Sequence, residues 1–241
     1  MHEDLNAQHT IVTGGASGIG AAVVADLKAR GHVVTVFDLQ PSPDASVTSL
    51  AVDVTDEQAV AEAVAAAEAR SGVVTGVVAC HGIRGSYVPA LDLDLTAVRR
   101  VYDIHVVGTL AVCREVVRRL GGRAASMVLI SSTTAYGGWV NQSDYGPAKA
   151  AVRQLAQNLA IEWAPLGVRV NAVAPGHTRT PMVQSLIDGG YDVVQVEARM
   201  PLGRLAEPDE MARSITALLC DATFVTGQCL PVDGGWTAVG K

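Results

Sequence analysis

At 241 residues, 49% of them hydrophobic and only 17% charged, the chain can bury a large core, which excludes a disordered polymer. Its net charge of −6, without a cluster of Lys or Arg, gives nucleic acid or an anionic membrane surface no electrostatic handle. No stretch reads as a signal peptide or membrane span, and Cys80, Cys113, Cys220 and Cys229 lack CxxC spacing, so a cytoplasmic protein with reduced thiols is expected.

Short β-branched runs alternate with longer Ala-rich amphipathic stretches. The pattern predicts strands over residues 10–13, 33–37, 49–52, 76–79, 126–130, 169–173 and 228–232. Helices are predicted over 19–30, 57–70, 97–119, 148–163 and 207–219. Such repetition implies right-handed crossovers and a seven-stranded parallel sheet with helices on both faces, a doubly wound α/β fold. With no linker or internal repeat, one domain over 1–241 is the economical reading. Residues 180–201 break the rhythm. Their loose pattern contains Gly189 and Gly190 and suggests a mobile substrate lid over 181–200.

The first strand runs into Thr13-Gly14-Gly15-Ala16-Ser17-Gly18-Ile19-Gly20, directly before a helix. Glycines there permit a tight turn and let the backbone approach a pyrophosphate, while the helix start at Ser17, Gly18 and Ile19 offers free N–H groups. The spacing is T-G-x-x-x-G-x-G, not G-x-G-x-x-G. Asp38 ends the second strand, 18 residues past Gly20 (38 − 20), close to the roughly 20 expected of a ribose-binding acid. Its carboxylate would accept from both adenosine ribose hydroxyls and repel a 2′-phosphate. No Lys or Arg lies within 14–20 or 36–42 to hold such a phosphate, so NAD is expected over NADP. Asp53 and Val54 can meet the adenine through a carboxylate and a backbone N–H, although Asp53 equally suits a helix start.

Tyr145 and Lys149 are four residues apart at the start of a helix that Ser143 or Asp144 can cap, so they share one face. A free phenol titrates near ~10, too high for a general base. An ammonium about 5 Å away, at an effective dielectric of about 20, would favour phenolate by roughly 3 kcal/mol, or about 2 pK units. Ser132 lies 13 residues earlier (145 − 132), where strand ends converge in such sheets.

Jointly these residues resemble the short-chain dehydrogenase/reductase family in its common single-domain Rossmann form, from Thr10 to about Val239. Besides the turn, Asp38, Asp53 and the Ser132/Tyr145/Lys149 set, the resemblance rests on Pro175-Gly176-His177-Thr178-Arg179-Thr180 and Val232-Asp233-Gly234-Gly235. It implies that Tyr145 is the acid/base, that Lys149 binds the nicotinamide ribose and lowers the tyrosine pKa, and that Ser132 orients the substrate oxygen. It also implies cofactor contacts at Pro175, Gly176, Thr178 and Thr180, and a homotetramer or homodimer whose interface includes the late Val-Asp-Gly-Gly run.

Two departures stand out. Where the family has Asn-Asn-Ala-Gly this chain has Ala79-Cys80-His81-Gly82, which removes strand-stabilising amides but leaves backbone contacts to the cofactor at Ala79 and Gly82. His105 replaces the family's catalytic asparagine, which supports a water leading from the lysine. An imidazole can hold a water and titrates near neutrality, so His105 is expected to take over the relay; the alternative is a helix-kink filler. His81, His105 and His177 match no ligand spacing, and no metal is expected.

Thr133, Thr134, Trp139, Val140, Asn141, His177 and the lid suggest a largely apolar substrate pocket, with Arg84 and Arg179 available to an anionic group. The expected activity is NAD-dependent interconversion of a secondary alcohol and a ketone on a small cyclic or aromatic molecule. A cis-dihydrodiol dehydrogenase is the nearest alternative. A 3-oxoacyl-carrier-protein reductase is disfavoured by Asp38 and the negative charge, and a catalytically silent nucleotide-binding regulator by the retained triad.

Overall fold

In the computed structural model, which describes residues 8–239, seven strands form one all-parallel sheet. Residues 1–7 and 240–241, the ends of the expected domain, lie outside the described residues. The strands are β1 (His9–Thr13), β2 (Val33–Asp38), β3 (Thr48–Ala51), β4 (Val74–Ala79), β5 (Ala125–Ile130), β6 (Val168–Pro175) and β7 (Cys229–Val232), in the order β3-β2-β1-β4-β5-β6-β7. The strand order reverses between β1 and β4, and that switch point leaves a crevice at the carboxyl ends of the strands.

Alternation along each strand fills two separate cores. Ile11, Val77, Met127 and Leu129 face α2 (Glu57–Ser71), α4 (Thr109–Arg119) and α5 (Tyr145–Trp163). Their neighbours Val12, Val78, Val128 and Ile130 face α1 (Gly18–Ala29) and α8 (Pro208–Thr216). This covering of both faces explains why the strands read as nearly continuous apolar runs.

Two expected elements differ. The helix expected over 97–119 is α3 (Leu95–Tyr102) and α4 joined by a π-helical turn, Asp103–Gly108. The segment read as loose holds two short helices, α6 (Pro181–Asp188) and α7 (Val193–Arg199). Thr180 and Asp192 cap them by accepting from Val183 N and Gln195 N. Their periodicity is hard to see because each offers only a narrow apolar side, Val183, Ile187, Val193 and Val196, to Met200 and Trp236.

Candidate active site

A cavity of about 600 Å³ opens along the crevice. Its nucleotide half starts at the glycine turn. Gly20 has no room for a side chain, since a Cβ would lie 2.1 Å from Gly14 O. Gly14 adopts φ +66°, and a Cβ there would press on the His81 backbone at 2.8 Å. Ser17, the residue before α1, has an extended backbone and makes no side-chain cap, and no acidic residue occupies the first turn. The first N–H groups of α1 therefore face the cavity uncommitted, a ready site for phosphate oxygens. Asp38 closes this end; Oδ2 accepts from Ala16 N and Oδ1 from Gln40 N, both at 3.0 Å, which leaves lone pairs on both oxygens. Asp53 also lines the cavity and accepts from Thr55 N and Oγ1, which holds its carboxyl below the usual range; Asp56 is the cap of α2. Val54 lies beside it, packed on Gly108.

Of the expected cofactor residues, Ala79 does not reach the cavity. It is sealed in the core at the end of β4, and the wall begins one residue later at Cys80, followed by His81 and Gly82. Pro175, Gly176, Thr178 and Thr180 line the opposite wall. The Thr178 hydroxyl donates to Gly176 O, and Thr180 stands 3.4 Å from where a Gly18 Cβ would be.

Ser132, Tyr145 and Lys149 all line the cavity. Ser132 follows β5, and its hydroxyl accepts from Thr134 N. Asp144, fully buried, caps α5 by accepting from Tyr145 N at 2.7 Å. Lys149 is one turn along the helix, with Nζ 5.6 Å from the Tyr145 ring centre and donating to Ile130 O at 2.8 Å. The expected depression of the tyrosine pKa is absent from the protein alone. Burial raises Tyr145 to about 12, with the Ser132 hydroxyl pulling the other way, and lowers Lys149 to about 8. Desolvation is the largest cause at both residues, and Nζ itself is engaged by the Ile130 carbonyl.

The two unusual histidines occupy adjoining places. His81 bridges β1 to the π turn, accepting from the Thr13 hydroxyl at Nδ1 (2.5 Å) and donating from Nε2 to Ile104 O (3.0 Å). It thus supplies a cross-brace in place of the missing amides. His105, 2% exposed, lies on Gly82; its Nε2 is 2.8 Å from Ile83 O and 3.2 Å from Ile83 N, and the shorter contact makes Nε2 the donor to the carbonyl. That tautomer leaves Nδ1 as a buried acceptor without a protein partner. Burial, and then the Lys149 charge, lowers His105 to about 2. The expectation that it titrates near neutrality is therefore corrected: the imidazole is neutral and can act only as a fixed acceptor. It also occupies the π turn, so the kink and the acceptor belong to one residue.

The substrate half is walled by aromatic rings. Trp139 stacks on Trp236 at 5.1 Å, and His177 packs against both. His177 Nε2 pairs with the Tyr191 hydroxyl at 2.9 Å, which ties this wall to the α6–α7 segment. Thr133 and Thr134 line the same end; Val140, 87% exposed, and Asn141 do not. Arg179 is paired outside with Glu207, whereas Arg84 lines the cavity. Tyr87 and Gln142, which sequence reasoning missed, also line it. Tyr87 takes φ +58°, a backbone conformation that a bulky residue rarely adopts, and its only sequence signal is the preceding Gly85-Ser86. Among the described residues no group of three His, Cys, Asp or Glu side chains is placed to hold a metal, and no helix is long and apolar enough to cross a membrane.

Residues 14–237 match the family model described as Enoyl-(Acyl carrier protein) reductase. The cis-4-hydroxycyclohexanecarboxylate dehydrogenase of Sinomonas cyclohexanicum is 38% identical, covering 99% of this chain and all of its own. The 2,5-dichloro-2,5-cyclohexadiene-1,4-diol dehydrogenase of Sphingobium indicum is 34% identical over 98% of this chain and 99% of its own. The crystal structure of levodione reductase superposes with a TM-score of 0.89 at 30% identity, covering 97% of this chain and 98% of that one. On the full-length matches and the Ser132/Tyr145/Lys149 arrangement at the switch point of the sheet, the chain belongs to the short-chain dehydrogenase/reductase family.

Proposed function

We propose that this protein is an NAD-dependent oxidoreductase that interconverts a secondary alcohol and a ketone on a small ring, with Tyr145 as the acid/base. The observation that carries this reading is the convergence of Ser132, Tyr145 and Lys149 in one cavity with the open start of α1 and Asp38. The donor set fits a dinucleotide: uncommitted N–H groups for the pyrophosphate, a carboxylate for the ribose, and no Lys or Arg within 14–20 or 36–42 for a 2′-phosphate. Two relatives are named for alcohols on six-membered rings, which suits the aromatic wall of Trp139 and His177. The diol in one of those names supports a ring diol as a second reading.

The nicotinamide, when bound, accepts or supplies the hydride. Ser132 orients the reacting oxygen, Tyr145 takes or returns its proton, and Lys149 holds positive charge beside the phenol. His105 offers Nδ1 to a water on the path from Lys149. Residues 181–200 form the lid in one domain that carries both cofactor and substrate. A cytoplasmic homotetramer or homodimer is proposed on the family resemblance, supported by β7 lying at the sheet edge with Leu230 exposed. Assays of ring alcohols and ketones with NAD and NADP, followed at the nicotinamide absorbance, test the reading. Turnover with NAD is expected; its absence with every secondary alcohol and ketone would overturn it.

A further inference from the structure

Between β4 and α3 the chain passes over the catalytic tyrosine. A Cβ on Gly85 would lie 2.9 Å from Tyr145 Cβ and 2.6 Å from Asp144 Oδ1, so backbone and tyrosine are in direct contact there. Asp144 fixes the passage, accepting from Ser86 N at 2.6 Å with the oxygen that does not cap α5. This clamp holds Tyr87 in its left-handed conformation on the cavity wall. Arg84 and Tyr87 therefore flank the reacting centre on either side of Gly85.

The cations that line the cavity are Arg84, Arg100 and Lys149. Lys149 is committed to Ile130 O, and Arg100 acts on Asp53 at the adenine end. Arg84 makes no ion pair among the described residues, and its charge acts on the Tyr87 phenol. A guanidinium has donors only, and a phenol has one donor to spare; together they match a group that is acceptor-only and negative. The rest of the substrate half, from Trp139 to Met182 and Leu186, gives no reason for a lone cation at its edge.

We propose that Arg84 and Tyr87 form an anion-recognition point, so that the substrate is a ring alcohol carrying a carboxylate. This rests on the ring-alcohol reading above, and the two fail separately. Initial rates with NAD are compared for cis-4-hydroxycyclohexanecarboxylate and its methyl ester, in the wild type, Arg84→Gln and Arg84→Lys. The acid is expected to exceed the ester in kcat/KM by about tenfold or more, the yield of one charged hydrogen bond, chiefly through KM. Arg84→Gln should bring the two within about twofold, and Arg84→Lys should retain part of the preference. Equal use of acid and ester by the wild type, or a preference that survives Arg84→Gln, overturns the anion site and leaves the ring-alcohol reading standing. So does weaker NAD binding by Arg84→Gln without substrate, since the arginine then serves the cofactor. If neither compound turns over, calorimetric titration of cyclohexanecarboxylate into the protein saturated with NAD still decides. Binding that Arg84→Gln abolishes supports the site, and no binding overturns it.

Discussion

The rings of His105 and Tyr145 meet edge to face, their centroids 5.4 Å apart and their planes at 89°. The contact places the His105 imidazole, whose Nδ1 is buried, beside the residue proposed to move the proton, with Lys149 close enough to depress the imidazole further. His105→Phe keeps the ring contact and deletes that acceptor. We expect kcat to fall by about tenfold or more. His105→Asn should recover much of the loss. Because burial keeps His105 neutral, no limb of the wild-type pH–rate profile should vanish in His105→Asn. Steady-state rates of the three proteins from about pH 5 to about pH 10 check this. Full activity in His105→Phe would sink the relay.

The proposed preference for NAD rests on Asp38. In Asp38→Ala the ribose hydroxyls lose a charged acceptor, and the NAD KM should rise about 10- to 100-fold. Leu39, exposed on the same wall, is where a cation for a 2′-phosphate would stand. The double variant Asp38→Ser, Leu39→Arg should therefore reverse the NAD/NADP ratio of kcat/KM. A wild type that prefers NADP would refute the argument.

Lys149 couples the site to stability. Burial lowers it to about 8, whereas an unfolded lysine titrates near ~10.4. Below about pH 8 the folded state carries the whole cost of the buried ammonium. Between about 8 and about 10.4 the folded protein sheds the proton first, so this cost falls as pH rises. Lys149→Met removes the dependence, whatever it does to the Ile130 bond. Relative to wild type, the variant should look better at about pH 7 than at about pH 10 by roughly 2–3 kcal/mol. Urea unfolding at both pH values measures it, and a difference independent of pH would contradict the burial argument.

Asp144 holds two N–H groups that no other of the described residues satisfies, Ser86 N and Tyr145 N. Asp144→Ala should cost about 2–4 kcal/mol and release the Gly85–Tyr87 passage from Tyr145. Thermal unfolding is expected to report the first effect and a raised substrate KM the second. An unchanged KM would show that the passage does not shape the pocket.

The fold was legible because its strands are buried on both faces and its helices alternate with them regularly. The strands expected from 10–13 through 228–232 all appear within two residues of their expected ends. Ser132, Tyr145, Lys149, Asp38 and the glycine turn were legible because each belongs to a local pattern with fixed spacing. What escaped depends on distant partners. The passage that carries Tyr87 is held at Ser86 N by an aspartate 58 positions away (144 − 86), and the His81 brace joins Thr13 to Ile104. The raised Tyr145 pKa escaped too, since spacing places an ammonium nearby but reveals neither its orientation nor the desolvation around it. The helices α6 and α7 are short, and Val196 is the only residue buried in them among the described residues, which leaves too few inward positions to mark a period.

The ring stack at the substrate end equips the molecule with its own optical gauge. Two of its three tryptophans, Trp139 and Trp236, lie face to face there, and Arg199 of α7 rests on Trp236 at 3.8 Å. Any outward swing of α7 must lift that guanidinium from the indole and change its emission. Trp163, remote at the end of α5, remains as a steady background. The proposed lid opening would thus be timed by stopped-flow fluorescence without attaching a dye.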